Sequence, residues 1–455
     1  VTGTEEHRQT DASPPTASGT DVAATTTARL QVALDFSMLS RAKKAAAEAV
    51  AAGADLLEVG TPLLKSEGLD AVRALHAEFP AVDIVADTKT MDAGRAEMEM
   101  ASKAGAAMAT VLGVASDTTI RECAEVARNY GIEVIVDLVE HPDPVARAKQ
   151  VAALGATAVG VHCPIDQQML GKDPFDTLRA VREAVDIKVT VAGGLNSETA
   201  AKASALGADV VIIGGAITKA PDANAATAEL LSALRSGQAR PATAFKRFDA
   251  DKLVEAFGKV STPNISDALH RGGFVEGLTS VVPGKRAVGR AVTCRTYPGD
   301  WAKPVEAIDA CEAGDILVID AGGRPPAVWG ELATESCIQK GIAAVIIDGA
   351  IRDVDAIREL GFPAWSRQQV PHAWEPKGLG EIGTPITIGH RPVRPGDWVI
   401  ADDSGVVVVP AERAVETANR ALDVLEMENR VRQEIRAGST LSQVIELYRW
   451  EKSGH

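Results

Sequence analysis

KVTVAGG at residues 188–194 and DVVIIGGAI at residues 209–217 decide the fold. Each is a short, almost continuous apolar run carrying paired glycines, the pattern of a strand covered on both faces. The same kind of run recurs upstream: LQVALDF from Leu30, LLEVG from Leu56, DIVADTK from Asp83, MATVLG from Met108, EVIVDLV from Glu133 and AVGVHC from Ala158. Between the runs lie Ala-rich amphipathic stretches such as SRAKKAAAEAVAAG and VARAKQVAALG, each ending on a glycine suited to a helix C-cap. Eight such strand–helix units predict an α/β fold, a parallel (β/α)8 barrel of the TIM type, whose chemistry belongs at the C-terminal ends of the strands.

The alternation stops at SGQARPATAFKRFDA, residues 236–250, where polar residues, Pro and Gly interrupt both periods. A chain of 455 residues exceeds what one core usually organises, so this break is read as a linker between a barrel at 29–235 and a second domain at 251–455. The second half predicts helices from Leu253 to His270, strands near Gly289, Ile316, Ala343 and Pro363, a strand-rich stretch from Pro385 to Pro410 and a long helix from Glu412 to about Arg436. That order describes a mixed β/β/α domain and not a second barrel. The charges of VLEMENRVRQEIR in the long helix are read as a solvated face laced with ion pairs. Residues 1–28, rich in Thr, Ser and Ala and lacking either periodicity, are read as a flexible tail.

Composition excludes several classes. A formal charge of −15 repels a phosphate backbone over most of the surface, which argues against nucleic-acid partners and leaves any bound phosphate to local backbone donors. No run approaches the roughly 20 apolar residues of a membrane span. The first residues lack the basic-then-apolar order of a secretion signal. Cys123, Cys163, Cys294, Cys311 and Cys337 are scattered and form no C-x-x-C pair, so they are read as buried thiols of a reducing compartment. A cytoplasmic enzyme is expected.

The strand ends carry acid. Asp35 closes the first run, Glu58 lies near the end of the second, and Asp87 and Lys89 share one side of the third if alternation holds, with Asp92 just beyond in the loop. Charges often end as surface ion pairs, but these terminate apolar strands where a barrel places its site. Converging carboxylates repel one another unless a cation sits among them, and oxygen ligands around an open position suit Mg²⁺ or Mn²⁺. His162 ends the sixth run; a hydrogen-bonded core histidine is the plainer alternative, but at the mouth it would face the metal pocket as a proton-transfer group. Gly193 and Gly194 after the seventh run, with Gly214 and Gly215 after the eighth, offer bare backbone N–H groups where such barrels bind phosphate.

Taken in order, ALDF, EVGTPLLKSEG, VADTKTMDAG, GVH followed by IDQQ, VAGG and GGAITKA closely resemble the 3-hexulose-6-phosphate synthases of the orotidine-5′-phosphate decarboxylase superfamily, from Leu30 to about Leu234. That family joins formaldehyde to D-ribulose 5-phosphate, giving D-arabino-3-hexulose 6-phosphate. The resemblance implies that Glu58 and Asp87 bind the metal, that Lys89 helps stabilise the enediolate, that His162 moves the substrate proton, and that Asp92 enters the site of a neighbouring subunit. The nearest alternative is the related 3-keto-L-gulonate-6-phosphate decarboxylase group, which resembles H-x-x-R after the sixth strand and carries Arg after the eighth-strand glycines. Here Ile165 stands at the first of those positions and AITKA follows Gly215, which favours the synthase.

In the second half, Glu331 opens a helical pattern and twenty residues separate it from Arg352-Asp353, which follow the run AAVIIDGAI. A helix-start Glu and a strand-end ion pair are the plain reading of these residues alone. However, GELAT, VIIDGAIRDVDAIRELGFPAWSR and PGDWVIADDSGVVVVP resemble the regulator of ribonuclease E activity A family, from Lys252 to about Arg436. That family spans noncatalytic regulators and metal-dependent 4-hydroxy-4-methyl-2-oxoglutarate aldolases. The aldolase branch resembles an acidic residue, twenty spacers and Arg-Asp, which implies metal binding by Glu331 and Asp353 and carboxylate binding by Arg352, with a 2-oxo acid as substrate. Glu stands where Asp is common in that branch. The two resemblances imply dimers and trimers respectively, and a chain that combines both contacts closes most simply as a hexamer.

Overall fold

A computed structural model describes residues 2, 28–242 and 245–446 of the chain. The proposed tail therefore lies almost wholly outside the described residues. Among them, β1 (Arg29–Leu34), β2 (Leu56–Val59), β3 (Asp83–Thr90), β4 (Met108–Leu112), β5 (Glu133–Asp137), β6 (Ala158–His162), β7 (Lys188–Ala192) and β8 (Val210–Ile213) form a closed parallel barrel. Val32 pairs with Ile213 and Leu34 with Val59, so β1 joins the last strand to the second. The apolar runs are nearly continuous because both faces are covered. Leu30, Val32 and Leu34 pack outward into the helices, whereas Leu56, Val85, Met108, Ile135, Ala158 and Val210 form a separate layer inside the barrel. Above that layer the inward positions turn polar, which puts the site at the C-terminal mouth.

The second domain is a mixed sheet. Its strands are β9 (Thr279–Ser280), β10 (Ala287–Thr296), β11 (Ile316–Asp320), β12 (Ala327–Trp329), β13 (Ala344–Ile351), β14 (Ala364–Gln369), β15 (Gly380–Ile382), β16 (Ile386–Ile388), β17 (Arg391–Val393), β18 (Trp398–Asp402) and β19 (Gly405–Val409). The main order is β19-β18-β10-β11-β13-β14-β9, with β12 paired to β13 and β15 to β10, while β16 and β17 form a separate ribbon. The eight-residue β13 is buried along its whole length, and it delivers Arg352 and Asp353 to the surface immediately after it. No helix among the described residues is long and apolar enough to cross a membrane. All five cysteines are buried and unpaired, and burial pushes four of the thiols up to about 12 and that of Cys163 to about 11.

The long helix, Ala414–Arg436, departs from the expectation of a solvated face. Its Arg430 is buried and grips Glu48 of the barrel through two nitrogens at 2.7 and 2.9 Å, while Glu434 bonds Arg430 and reaches Arg41 at 3.2 Å. Asn419, fully buried, donates to the carbonyls of Met169 at 2.9 Å and Phe248 at 3.0 Å. Periodicity alone hides this, because a charged stripe that pairs with another domain has the same sequence as one that faces water.

Candidate active site

At the barrel mouth the inward ends of five strands place Asp35, Glu58, Asp87, Lys89, Asp137 and His162 in one cluster. Glu58 and Asp87 are 8% and 6% exposed, and such burial must be compensated. Glu58 Oε2 accepts from Gln31 Nε2 at 2.5 Å. Asp87 accepts from Thr110 Oγ1 at 2.8 Å on one oxygen and from Thr61 Oγ1 at 2.6 Å on the other. Burial, followed by the charges of Asp87 and Asp35, raises the Glu58 carboxyl well above the usual range. Asp35 opens to solvent through the mouth but is crowded by the rim, and that desolvation together with the charge of Asp87 raises its pKa as well. Its carboxylate lies flat on Gly60, where an added Cβ would stand 2.1 Å from Oδ1.

Lys89 reaches this cluster by a distortion of β3. The register between β3 and β4 shifts between Ala86 and Thr90, and Lys89 takes a left-handed φ of 47°. Regular alternation is therefore not what brings Asp87 and Lys89 together. From the bulge, Lys89 Nζ lies 3.1 Å from Asp87 and 2.9 Å from Asp137. Burial alone would depress the ammonium, but the charges of Asp137 and Asp87 overcome it and hold Lys89 firmly protonated. Asp137 also meets His162 Nδ1 at 3.1 Å. Burial pushes the Asp137 carboxyl up, yet the hydrogen bond and charge of His162 and the charge of Lys89 prevail and bring it down to about 2.

Asp137 is the site residue that the sequence reading missed. It ends the apolar run EVIVDLV as Asp35 ends LQVALDF, so the strand-end rule applied to the fifth strand would have found it. Asp92, in contrast, is exposed in the loop after β3 and joins none of these groups.

The donor set at the mouth fits a hard divalent cation. The buried carboxyls of Glu58 and Asp87 act on each other electrostatically, and a Mg²⁺ site commonly takes one or two carboxylates from the protein with water and substrate in the remaining positions. Among the described residues no group of three or more His, Cys, Asp or Glu side chains forms a ready cation cage. Glu58 and Asp87 thus offer a pair and not an enclosure.

The two glycine pairs differ. Gly193 and Gly194 have φ of 106° and 70° and border a cavity of about 340 Å³. Gly214 faces Asp35, and Gly215 is covered: a Cβ there would stand 2.1 Å from the ring of Phe245, which belongs to the segment between the domains. Glycine at 215 therefore has a packing reason separate from the phosphate reading, and only the chain fold reveals it.

In the second domain, Glu331 begins the helix Glu331–Lys340, and its N–H donates to Asp353 Oδ2 at 3.2 Å. Arg352 Nε is 3.4 Å from the same oxygen, with the side chains of Arg352 and Asp353 46% and 40% exposed. The structure thus places the backbone of Glu331 beside the Arg352–Asp353 ion pair, at the surface and open to water.

Two family models match the chain. The one described as Orotidine 5'-phosphate decarboxylase / HUMPS family covers residues 28–230, and the one described as RraA-like, Aldolase/RraA, covers residues 262–408. The 3-hexulose-6-phosphate synthase of Methylomonas aminofaciens is 44% identical over 201 residues, which is 96% of that protein and 44% of this chain. Its counterpart in Mycobacterium gastri is 39% identical over 99% of its own length and 45% of this chain. That of Bacillus subtilis is 38% identical over 92% of its length and 42% of this chain.

Proposed function

Because the chain belongs through its barrel to the orotidine 5′-phosphate decarboxylase / HUMPS family, with an RraA-like domain joined behind it, we propose that the barrel condenses D-ribulose 5-phosphate with formaldehyde, or runs that reaction in reverse. It is a carbon–carbon lyase domain by kinship with 3-hexulose-6-phosphate synthases. The observation that carries the reading is the bond of Asp137 to both His162 and Lys89, beside the paired carboxylates Glu58 and Asp87.

In this reading His162 donates Nδ1–H to Asp137, so Nε2 is left as the basic nitrogen and removes a proton from carbon 1 of ribulose 5-phosphate. Lys89, kept as an ammonium, faces the negative charge that gathers on the substrate oxygens as the enediolate forms. Carbon 1 then bonds to the formaldehyde carbon, the carbonyl electron pair moves to the formaldehyde oxygen, and that oxygen takes the proton from His162. A Mg²⁺ or Mn²⁺ ion held by Glu58 and Asp87 would supply further charge neutralisation at the sugar oxygens. The decarboxylase alternative is less well served, because Ile165 is an exposed apolar residue where that group has a cation. Condensation assayed with added Mg²⁺ and with chelator tests the reading; no consumption of formaldehyde in either case would sink it.

For the second domain the reading is a divalent-metal lyase acting on a 2-oxo acid, with Glu331 and Asp353 toward the metal and Arg352 toward the substrate carboxylate. The contacts of Asp353 with Arg352 and with the Glu331 N–H support it. Pyruvate release and oxaloacetate decarboxylation, each with and without chelator, separate a lyase from a noncatalytic module.

A further inference from the structure

We infer that the segment between the domains and the start of the second domain complete the phosphate end of the barrel site, with Lys246 and Lys252 binding the substrate's phosphate monoester beside the backbone of Gly193 and Gly194. The inference rests on the proposed barrel reaction and adds to it groups from outside the barrel. The cavity of about 340 Å³ has Gly193, Gly194 and Lys172 of the barrel on one side and Lys246, Arg247 and Lys252 on the other. Its volume falls in the range of small-ligand sites, roughly 300–1,000 Å³. Gly193 directly follows Ala192, which pairs with His162 across β6 and β7, so the glycine edge of the cavity starts one residue beyond the strand position level with the proposed base, while His162 itself does not line the cavity. The family match to the barrel ends at residue 230 and that to the second domain begins at 262, so Lys246 and Lys252 lie between the two matched ranges.

The described parts of the segment, 236–242 and 245–250, are held in place. The N–H of Arg240 donates to the Ser197 carbonyl at 3.1 Å, that of Ala242 to Glu198 at 2.9 Å, and Asn196 Nδ2 to the Phe245 carbonyl at 3.3 Å. From the other side Glu426 accepts the N–H of Phe245 at 2.5 Å and Asn419 that of Phe248 at 2.8 Å. With Phe245 seated on Gly215, the β7 glycines are the pair left bordering the open cavity. The cations there are not equivalent. Arg247 is spent on Asp423 and Glu426, and Lys246 is shared with Glu198 at 2.8 Å, while Lys172 and Lys252 have no carboxylate within ion-pair distance among the described residues. Of the acids in the same lining, Glu198 is paired with Lys246, Glu255 with Lys259 at 2.7 Å, and Asp173 accepts the N–H of Phe175 at 3.0 Å, so Lys172 and Lys252 are the cations left facing the bare glycine backbone, a set that favours an anion.

The test uses the full chain. Binding of inorganic phosphate is measured by calorimetry, and KM and kcat are measured for ribulose 5-phosphate, in the wild type, in the double variant Lys246→Ala/Lys252→Ala, and in Lys188→Ala at the opposite end of the barrel as a control of equal charge change per site. Loss of charge-assisted hydrogen bonds should weaken phosphate binding and raise KM about tenfold or more in the double variant, with kcat within about twofold and the control unchanged. Unchanged phosphate affinity and KM overturn the inference, as does a fall in kcat at constant KM. Phosphate that inhibits without competing with ribulose 5-phosphate also overturns it, by placing the anion outside the substrate site. If the wild type makes no hexulose phosphate yet the double variant loses phosphate affinity, the proposed reaction fails and the anion site stands.

Discussion

The barrel mouth and the surface cluster of the second domain are both built from carboxylates beside a cation, and they treat charge in opposite ways. In the barrel, Glu58, Asp87 and Asp137 are buried and held by named partners, and the carboxyl of Glu58 is displaced upward and that of Asp137 downward from its ordinary range. In the second domain, Arg352 and Asp353 remain about half exposed, where water and salt screen their attraction. Preorganisation is thus finished at the first site within one chain. At the second, desolvation has to be supplied by what binds there. Single substitutions should consequently have large effects in the barrel and small ones at the other site until a ligand is present.

The largest expected effect is that of Asp87→Ala. It removes one of the two proposed metal ligands, and condensation should fall by on the order of 10²-fold or more while the far-ultraviolet dichroism is unchanged. Near-native activity in the purified variant would break the comparison at its stronger end. Asp137→Asn comes next, with a loss of about 10–100-fold in exchange of the carbon 1 proton and little change in KM, because the carboxylate acts by holding His162 and Lys89. The same residue predicts a pH effect. A carboxyl held at about 2, against 3.8 ordinarily, contributes stability that is full above the unfolded value and is lost as pH falls through the folded one. Between about pH 4 and pH 2, urea midpoints should therefore drop more steeply in the wild type than in Asp137→Asn. Parallel slopes would show that Asp137 is not held in this way.

Gly60→Ala should have an intermediate effect. The added methyl would meet the Asp35 carboxylate, and a displacement of about 1 Å in a positioned group can cost up to about 10²-fold, so a loss of about tenfold in kcat/KM is expected. Recovery of activity in Gly60→Ala/Asp35→Gly, which frees the space but deletes the acid, would show that Asp35 is dispensable.

Much of this was legible in the chain because the barrel repeats one rule. Apolar runs gave eight strands, and acid at their ends gave Asp35, Glu58 and Asp87. The same rule covers Asp137, which ends the fifth run. Regular alternation points to Lys89, whereas a bulge is what brings it in; a left-handed Lys has no signature in composition. The packing of Phe245 on Gly215 and of Arg430 on Glu48 could not be read at all, since each depends on residues brought together only by the arrangement of two domains. Short strands such as β9, β12 and β15, of two or three residues, lack enough alternation to register as strands.

Arg352→Ala should have the smallest effect on condensation, and it sharpens the comparison from the other side. Arg352 is solvated, lies in the second domain and makes its ion pair with its own neighbour Asp353, so its removal disturbs no residue of the barrel cluster. Condensation should stay within about twofold of wild type, as for a surface substitution worth less than about 0.5 kcal/mol. Release of pyruvate from a 2-oxo-acid substrate should fall about tenfold or more, because a hydrogen bond to a charged group is worth roughly 1.5–3 kcal/mol once a ligand excludes water. Both rates are read on one preparation, with Glu331→Gln as a second variant of the same site. If Arg352→Ala slows condensation as strongly as pyruvate release, the two sites are coupled through the buried contacts of the long helix, and the contrast between a finished site and an open one no longer describes independent centres.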